Sequence, residues 1–183
     1  MTASLLARDI TLGYGNDPVI AGLSLEVPDQ SFTIIIGPNA CGKSTLLRGF
    51  ARLLRPTSGA VLLDGEELRS LKPKDAARRL GLLPQSSISP DGITVADLVG
   101  RGRFPHQSAM RTWSRADEQA VADAMAATRT TELSRRLVDE LSGGQRQRVW
   151  VAMALAQQTG HLLLDEPTTF LDIAHQIDLM ELF

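Results

Sequence analysis

One glycine-containing loop combines the residue types that bind phosphate groups. It consists of Gly37, Pro38, Asn39, Ala40, Cys41, Gly42, Lys43, Ser44 and Thr45. Its glycines let the backbone curl so that successive N–H groups face phosphate oxygens, and a helix beginning near Lys43 would add positive charge at its amino end. The apolar run 31–36 precedes the loop, as a strand would. The loop is therefore predicted to bind a nucleoside triphosphate.

The last three residues of this loop have different chemical tasks in such a site. Lys43 is expected to reach the β- and γ-phosphates of ATP, the Ser44 hydroxyl to ligate Mg²⁺, and Thr45 to lie near the α-phosphate. ATP and Mg²⁺ are therefore the predicted ligands.

Two adjacent carboxylates follow another apolar run, 161–164. A strand there would carry Asp165 and Glu166 to the sheet edge at which the phosphate loop lies. Asp165 is expected to hold Mg²⁺ through water, and Glu166 to polarise the water that attacks the γ-phosphate. An acidic pair at a strand end is by itself more often a surface turn, but the upstream loop favours the functional interpretation.

The sequence LSGGQ at 141–145 resembles the signature of the ATP-binding cassette (ABC) family. Ser142, Gly143, Gly144 and Gln145 would offer a hydroxyl, open backbone N–H groups and a helix dipole to an anion. The resemblance implies that this segment closes on ATP held by the phosphate loop of a second subunit. Two chains would then form a head-to-tail dimer with two shared ATP sites.

Three further residues receive roles from the same resemblance. Tyr14 resembles the aromatic residue that stacks on adenine, Gln85 the Q-loop glutamine that senses the γ-phosphate, and Asp172 a D-loop residue. Each has an ordinary alternative, as a strand-end aromatic, a polar loop residue or a helix N-cap. Lys43, Gln85 and Glu166 are the predicted catalytic residues. Ser44, Gln85 and Asp165 are the predicted metal ligands, and the other named residues are expected to bind nucleotide.

The segments 92–106 and 168–183 look most like importer subunits for ferric siderophores, haem and cobalamin. That resemblance implies a second ATPase subunit, two membrane-spanning permease subunits and, indirectly, an extracytoplasmic substrate-binding protein as partners. The implied location is the cytoplasm, at the inner face of the plasma membrane. We expect residues 85–110 to dock the permeases, while Arg101 and Arg103 are predicted to be solvated surface.

The composition is that of a globular protein with one core. The chain has 183 residues, of which 43% are hydrophobic and 22% charged. A net charge of −2 and a pI near 5.9 give no electrostatic case for a nucleic-acid partner. Neither a membrane span nor a secretory leader is predicted. Cys41 is the single cysteine, so no internal disulfide is expected.

The apolar patterns predict an α/β fold in a single domain, 1–183. Apolar runs at 31–36, 60–64 and 161–165 predict buried strands, and 5–12 with 23–27 predict a small antiparallel sheet. Capping boxes beginning at Ser114 and Ser142 predict helices to about 126 and 157. The predicted architecture is a P-loop NTPase core of the ABC type with a small antiparallel β subdomain and a helical lobe at about 88–157.

The resemblance also implies a switch histidine and a further central strand beyond Phe183. His106, His161 and His175 do not occupy the position of that switch. We therefore expect an incomplete domain whose C-terminal strands are missing. One alternative is a truncated fragment that binds nucleotide without hydrolysing it. Another is a non-transport ABC ATPase, which is less favoured because 44–141 contains no long coiled-coil or zinc-bearing insertion.

Overall fold

The chain is organised as two compact units, Met1–Ala76 and Ala77–Phe183. A computed structural model describes residues 4–15, 17–85, 88–107, 113–168 and 176. No helix in these ranges combines the length and the apolar character that a bilayer crossing needs. The single-domain organisation with a helical lobe at 88–157 stays a prediction.

The first unit contains a four-stranded antiparallel sheet in the order β2-β1-β3-β4. Its elements are β1 (Leu5–Tyr14), β2 (Asp17–Val27), α1 (Lys43–Phe50), β3 (Ser58–Leu63) and β4 (Glu66–Glu67). The antiparallel pairing predicted for 5–12 with 23–27 is confirmed. The strand predicted at 60–64 is confirmed as β3, but its residues alternate between partly exposed and buried because it belongs to this antiparallel sheet.

The buried strand predicted at 31–36 is wrong. These residues are in no strand, and Phe32, Ile34 and Ile36 are 58%, 66% and 89% exposed. An apolar run favours burial, but it becomes a strand only where another strand can pair with its N–H and C=O groups. This run belongs to neither of the two sheets formed by the described residues.

The second unit packs helices around an apolar core. After α2 (Pro73–Arg79), the chain forms β5 (Leu80–Leu83), α3 (Val95–Gly100), a 3-10 helix (Arg101–His106), α4 (Arg115–Ala127), α5 (Gly143–Ala156) and β6 (His161–Leu164). Both predicted capping boxes are present, at Ser114 of α4 and Ser142 of α5. Val99, Met125 and Val149 are among the buried residues that join α3, α4 and α5. Gly102 lies so close to the Met153 carbonyl that a Cβ would collide with it.

β5 and β6 form a parallel pair in which Leu80 pairs with His161 and Leu83 with Leu164. The Asp165 N–H continues the ladder by donating to the Leu83 carbonyl at 2.9 Å. β6 was predicted, whereas β5, which also has four residues, was missed because Gly81 interrupts its apolar run. Because the two strands are parallel, the residues that follow Leu83 and Leu164 lie at the same edge of this sheet.

Arg103 is buried, so its assignment to the solvated surface is wrong. It is 4% exposed, and its Nε donates to Asp117 Oδ1 at 2.9 Å. Its Nη1 donates to the Ala156 carbonyl and to Gln158 Oε1. The Ser114 hydrogen bond and the Arg103 guanidinium lower the pKa of Asp117 to about 2, although burial opposes them. An ionised pair therefore fastens the 3-10 helix to the start of α4 and the end of α5.

Candidate functional site

The predicted phosphate loop leads directly into α1. Gly42 is the N-cap residue with φ 101°, and no side chain caps the helix. Ala40 also has a positive φ, 64°. The first N–H groups of a helix have no carbonyl partners within the helix. The positive φ values of Ala40 and Gly42 turn the N–H groups of the loop toward the space in front of these helical N–H groups. The loop thus presents the uncapped amino end of a helix to an anion.

The Lys43 ammonium lies over this loop. Its Nζ donates to the carbonyls of Gly37 and Pro38, each at 2.8 Å. A neutral carbonyl is a weaker partner for an ammonium group than a phosphate oxygen. Lys43 can therefore exchange these contacts for a phosphate ligand without leaving the loop.

Tyr14 ends β1 and contacts the helix that follows the phosphate loop. Arg48 Nη1 donates to the Tyr14 hydroxyl oxygen at 2.9 Å. Hydrogen bonds from Arg48 and then Thr45 lower the pKa of the phenol. The side chain remains 50% exposed, so it can still cover a flat ligand. The structure therefore brings Tyr14 and Thr45, two predicted nucleotide-binding residues, together in the first unit.

Gln85 and Glu166 meet at the carboxyl ends of the parallel strands. Each lies two residues beyond a paired residue, Leu83 in β5 and Leu164 in β6. The same register brings their side chains together, and Gln85 Nε2 donates to Glu166 Oε2 at 2.6 Å. The structure thus joins two predicted catalytic residues that are 81 positions apart.

The two carboxylates after β6 have different surroundings. Asp165 is 9% exposed, whereas Glu166 is exposed. Glu166 also has φ 51°, in the left-handed region that side chains other than glycine seldom adopt. Such conformations cluster at functional sites. The turn presents Glu166 to solvent and keeps Asp165 near the sheet.

The predicted signature residues form the start of α5. Ser142 Oγ accepts from the Gln145 N–H at 3.3 Å, and Gln145 Oε1 accepts from the Ser142 N–H at 3.1 Å. This capping box uses the oxygen of the Ser142 hydroxyl, not its proton. Ser142 and Gly143 are exposed. The end of α5 can therefore donate to an anion that approaches from outside the chain.

The ABC transporter family matches residues 20–169. The chain belongs to this ABC transporter family. The predicted resemblance and the predicted ABC ATPase fold class are thereby confirmed.

Two ABC relatives whose names state a transported siderophore are similar to nearly all of this chain. The ferric enterobactin transport ATP-binding protein FepC of Escherichia coli (strain K12) is 56% identical over 98% of this chain and 66% of FepC. The petrobactin import ATP-binding protein FpuD of Bacillus anthracis is 50% identical over all of this chain and 67% of FpuD. The chain spans about two thirds of the length of these curated relatives.

A solved ABC structure shows the same fold. It is cbiO1 from Clostridium perfringens, part of the ABC transporter complex cbiONQ, and the TM-score is 0.80 at 26% identity. The match covers 97% of this chain and 71% of cbiO1.

Oxygen donors of the kind that Mg²⁺ prefers are present in each of the two units. No cluster of three or more His, Cys, Asp or Glu residues within the described ranges could hold a metal. Mg²⁺ needs no such cluster, because it commonly takes one or two protein oxygens and completes its shell with phosphate oxygens and water. The Ser44 hydroxyl, the Asp165 carboxylate and the Gln85 carbonyl oxygen are donors of that kind. Asp172, the predicted D-loop residue, lies outside the described residues.

Two contacts at the site were missed by sequence reasoning. Arg48 binds the Tyr14 hydroxyl, and Gln147 Nε2 donates to the Pro167 carbonyl at 2.8 Å. Both contacts join residues that are far apart in sequence, 34 and 20 positions, so residue spacing did not indicate them.

Proposed function

We propose that this chain is the ATP-binding and ATP-hydrolysing subunit of an importer for a ferric siderophore or a related iron chelate or cobalamin. The observation that carries the ATPase part is the Glu166 carboxylate, exposed at a strand end and held 2.6 Å from Gln85 Nε2. The cargo class follows from FepC and FpuD, whose names refer to ferric enterobactin and petrobactin.

Binding of the triphosphate begins at the loop before α1. Its N–H groups receive the phosphate oxygens, and Lys43 moves from the Gly37 and Pro38 carbonyls to the β- and γ-phosphates. Ser44, Asp165 and Gln85 would hold Mg²⁺, which would supply positive charge to the phosphates. Tyr14 covers the adenine face and adds affinity with little base selectivity.

Hydrolysis then depends on Glu166. Its carboxylate accepts a proton from the water that attacks the γ-phosphate, as a general base does. Gln85 orients that carboxylate through the 2.6 Å hydrogen bond. Gln85 is further proposed to sense the γ-phosphate and to report the state of the nucleotide to the segment that follows it.

A second copy of the chain completes each site. The exposed N-terminus of α5, with the Ser142 hydroxyl proton and the Gly143 and Gly144 backbone, clamps the phosphate bound by the partner's loop. Two permease subunits and an extracytoplasmic substrate-binding protein complete the proposed importer. In this assembly the chain lies on the cytoplasmic face of the membrane.

The permease contact is proposed for the segment 85–110, and a groove in the second unit supports it. This groove has a volume of about 640 Å³ and is lined by Asp97, Arg101, Phe104, Trp113 and Glu118, among others. Phe104 is 64% exposed and Trp113 47%. Exposed aromatic residues with charged neighbours are typical of the anchors in protein interfaces.

Phe104→Asp is expected to weaken assembly with the permease by about 30-fold, the effect of losing an interface anchor worth about 2 kcal/mol. Leu53→Asp is the matched control, because Leu53 is 67% exposed and lies in the other unit. Co-purification with the permease measures the effect. If the permease recovered Phe104→Asp, Leu53→Asp and the wild-type protein in equal amounts, the proposed docking surface would be contradicted.

Iron uptake tests the proposed cargo. Cells that lack their own ATP-binding subunit for ferric siderophores would receive the protein at its full encoded length with its permease and binding protein. They are expected to accumulate radioactive iron from a ferric siderophore, and Glu166→Gln to abolish the accumulation. If the protein hydrolysed ATP but supported no uptake of an iron chelate or cobalamin, the proposed cargo would be wrong and the chain would be an ABC ATPase that serves another process.

The alternative of nucleotide binding without hydrolysis rests on the exposed run 31–36. A phosphate loop is normally anchored by a strand, and this run forms none. Under this alternative the chain binds ATP weakly and turns it over poorly. Rapid ATP turnover by this chain that Glu166→Gln abolishes would eliminate this alternative.

A further inference from the structure

Gln147 connects α5 to the turn that carries Glu166. It is the fifth residue of α5, and its Nε2 donates to the Pro167 carbonyl at 2.8 Å. Only the amide N–H₂ end of the side chain can face a carbonyl, so the acceptor fixes the orientation of the amide. The contact is partly buried. Pro167 directly follows Glu166, so this bond holds the backbone on the carboxyl side of the general base.

The Glu166 turn is therefore held at two points. Gln85, at the end of β5, holds the Glu166 side chain at 2.6 Å, and Gln147, on α5, holds the next residue's carbonyl. The left-handed backbone of Glu166, φ 51°, persists only where surrounding contacts enforce it. Removing the contact on α5 would let this turn relax toward common backbone conformations and displace the carboxylate.

We propose that Gln147 is a positioning residue for Glu166, which couples the signature end of α5 to the general base. This inference rests on the proposed ATPase function. Ser142 caps the same helix, about 8 Å along the axis from Gln147 at 1.5 Å per residue. A displacement of α5 by nucleotide bound at Ser142 of one chain would therefore reach the turn that bears Glu166 of that same chain through Gln147.

The test uses the protein at its full encoded length with Gln147→Met, which keeps the side-chain size but removes the donor. Gln119→Met is the matched control, because Gln119 also bonds from a helix, to Asp123 at 2.7 Å, away from the turn. Gln147→Met is expected to lower kcat about 10-fold with an unchanged KM, the pattern of a group that acts in the transition state. Gln147→Lys, which again offers a donor, is expected to restore most of kcat.

A double-mutant cycle separates positioning from general damage. Because Gln147 acts through Glu166, Gln147→Met is expected to cause no further loss in a Glu166→Gln background, measured as single-turnover hydrolysis of labelled ATP. A further 10-fold loss there, or a kcat within about twofold of wild type for Gln147→Met alone, would overturn the inference. A drop in thermal midpoint larger than that of Gln119→Met, with no rescue by Gln147→Lys, would also overturn it. If wild type hydrolyses no ATP, the proposed function itself fails, and the inference with it.

Discussion

Glu166→Gln is expected to reduce ATP turnover by on the order of 100-fold or more, the usual contribution of a positioned general base. The amide keeps the size of the side chain but cannot take the proton of the attacking water. Phosphate contacts at the loop before α1 are untouched, so ATP affinity should change little. Phosphate release and equilibrium ATP binding measure the two quantities.

Glu132→Gln is the control for this variant, because it removes one exposed carboxylate from the same unit. It is expected to hydrolyse ATP like wild type. If Glu166→Gln retained most of the wild-type rate, another group would have to be the base, and the Gln85–Glu166 pair would be a structural contact.

Lys43→Ala is expected to weaken ATP binding itself. The lysine ammonium forms charge-assisted hydrogen bonds to phosphate, and each bond of that kind contributes about 1.5–3 kcal/mol, or roughly 10- to 150-fold in affinity. Its present partners, the Gly37 and Pro38 carbonyls, would lose a cation in the variant. Titration calorimetry with ATP is the direct measurement.

Lys72→Ala provides the comparison for Lys43→Ala. Lys72 is exposed and lies in the same unit but outside the phosphate loop. It should bind ATP with wild-type affinity. Equal affinities for all three proteins would show that the phosphates do not bind at Lys43.

Local sequence rules predicted the parts of the site that depend on neighbours along the chain. The capping boxes at Ser114 and Ser142 and the helix after Gly42 involve residues within one turn, where spacing alone decides the contact. The signature and the phosphate loop belong to this class. Their residue types and order were enough to indicate nucleotide chemistry.

Contacts between distant segments could not be obtained in this way. The meeting of Gln85 and Glu166 depends on the register of β5 and β6, and Gly81 interrupts the apolar run that would have indicated β5. The run 31–36 was wrongly assigned because apolar composition does not identify a pairing partner. Arg103 was misplaced for a related reason, since its burial depends on Asp117 and on the end of α5.

The most direct test of the account is the stoichiometry of the ATP complex of Glu166→Gln at full encoded length. Slow hydrolysis should trap the closed state, and sedimentation with labelled ATP measures protein mass and bound nucleotide together. The expected result is a dimer with one ATP per chain, and Ser142→Arg should prevent the dimer while each chain still binds ATP. A Glu166→Gln protein that stays monomeric while each chain binds one ATP would contradict the shared site.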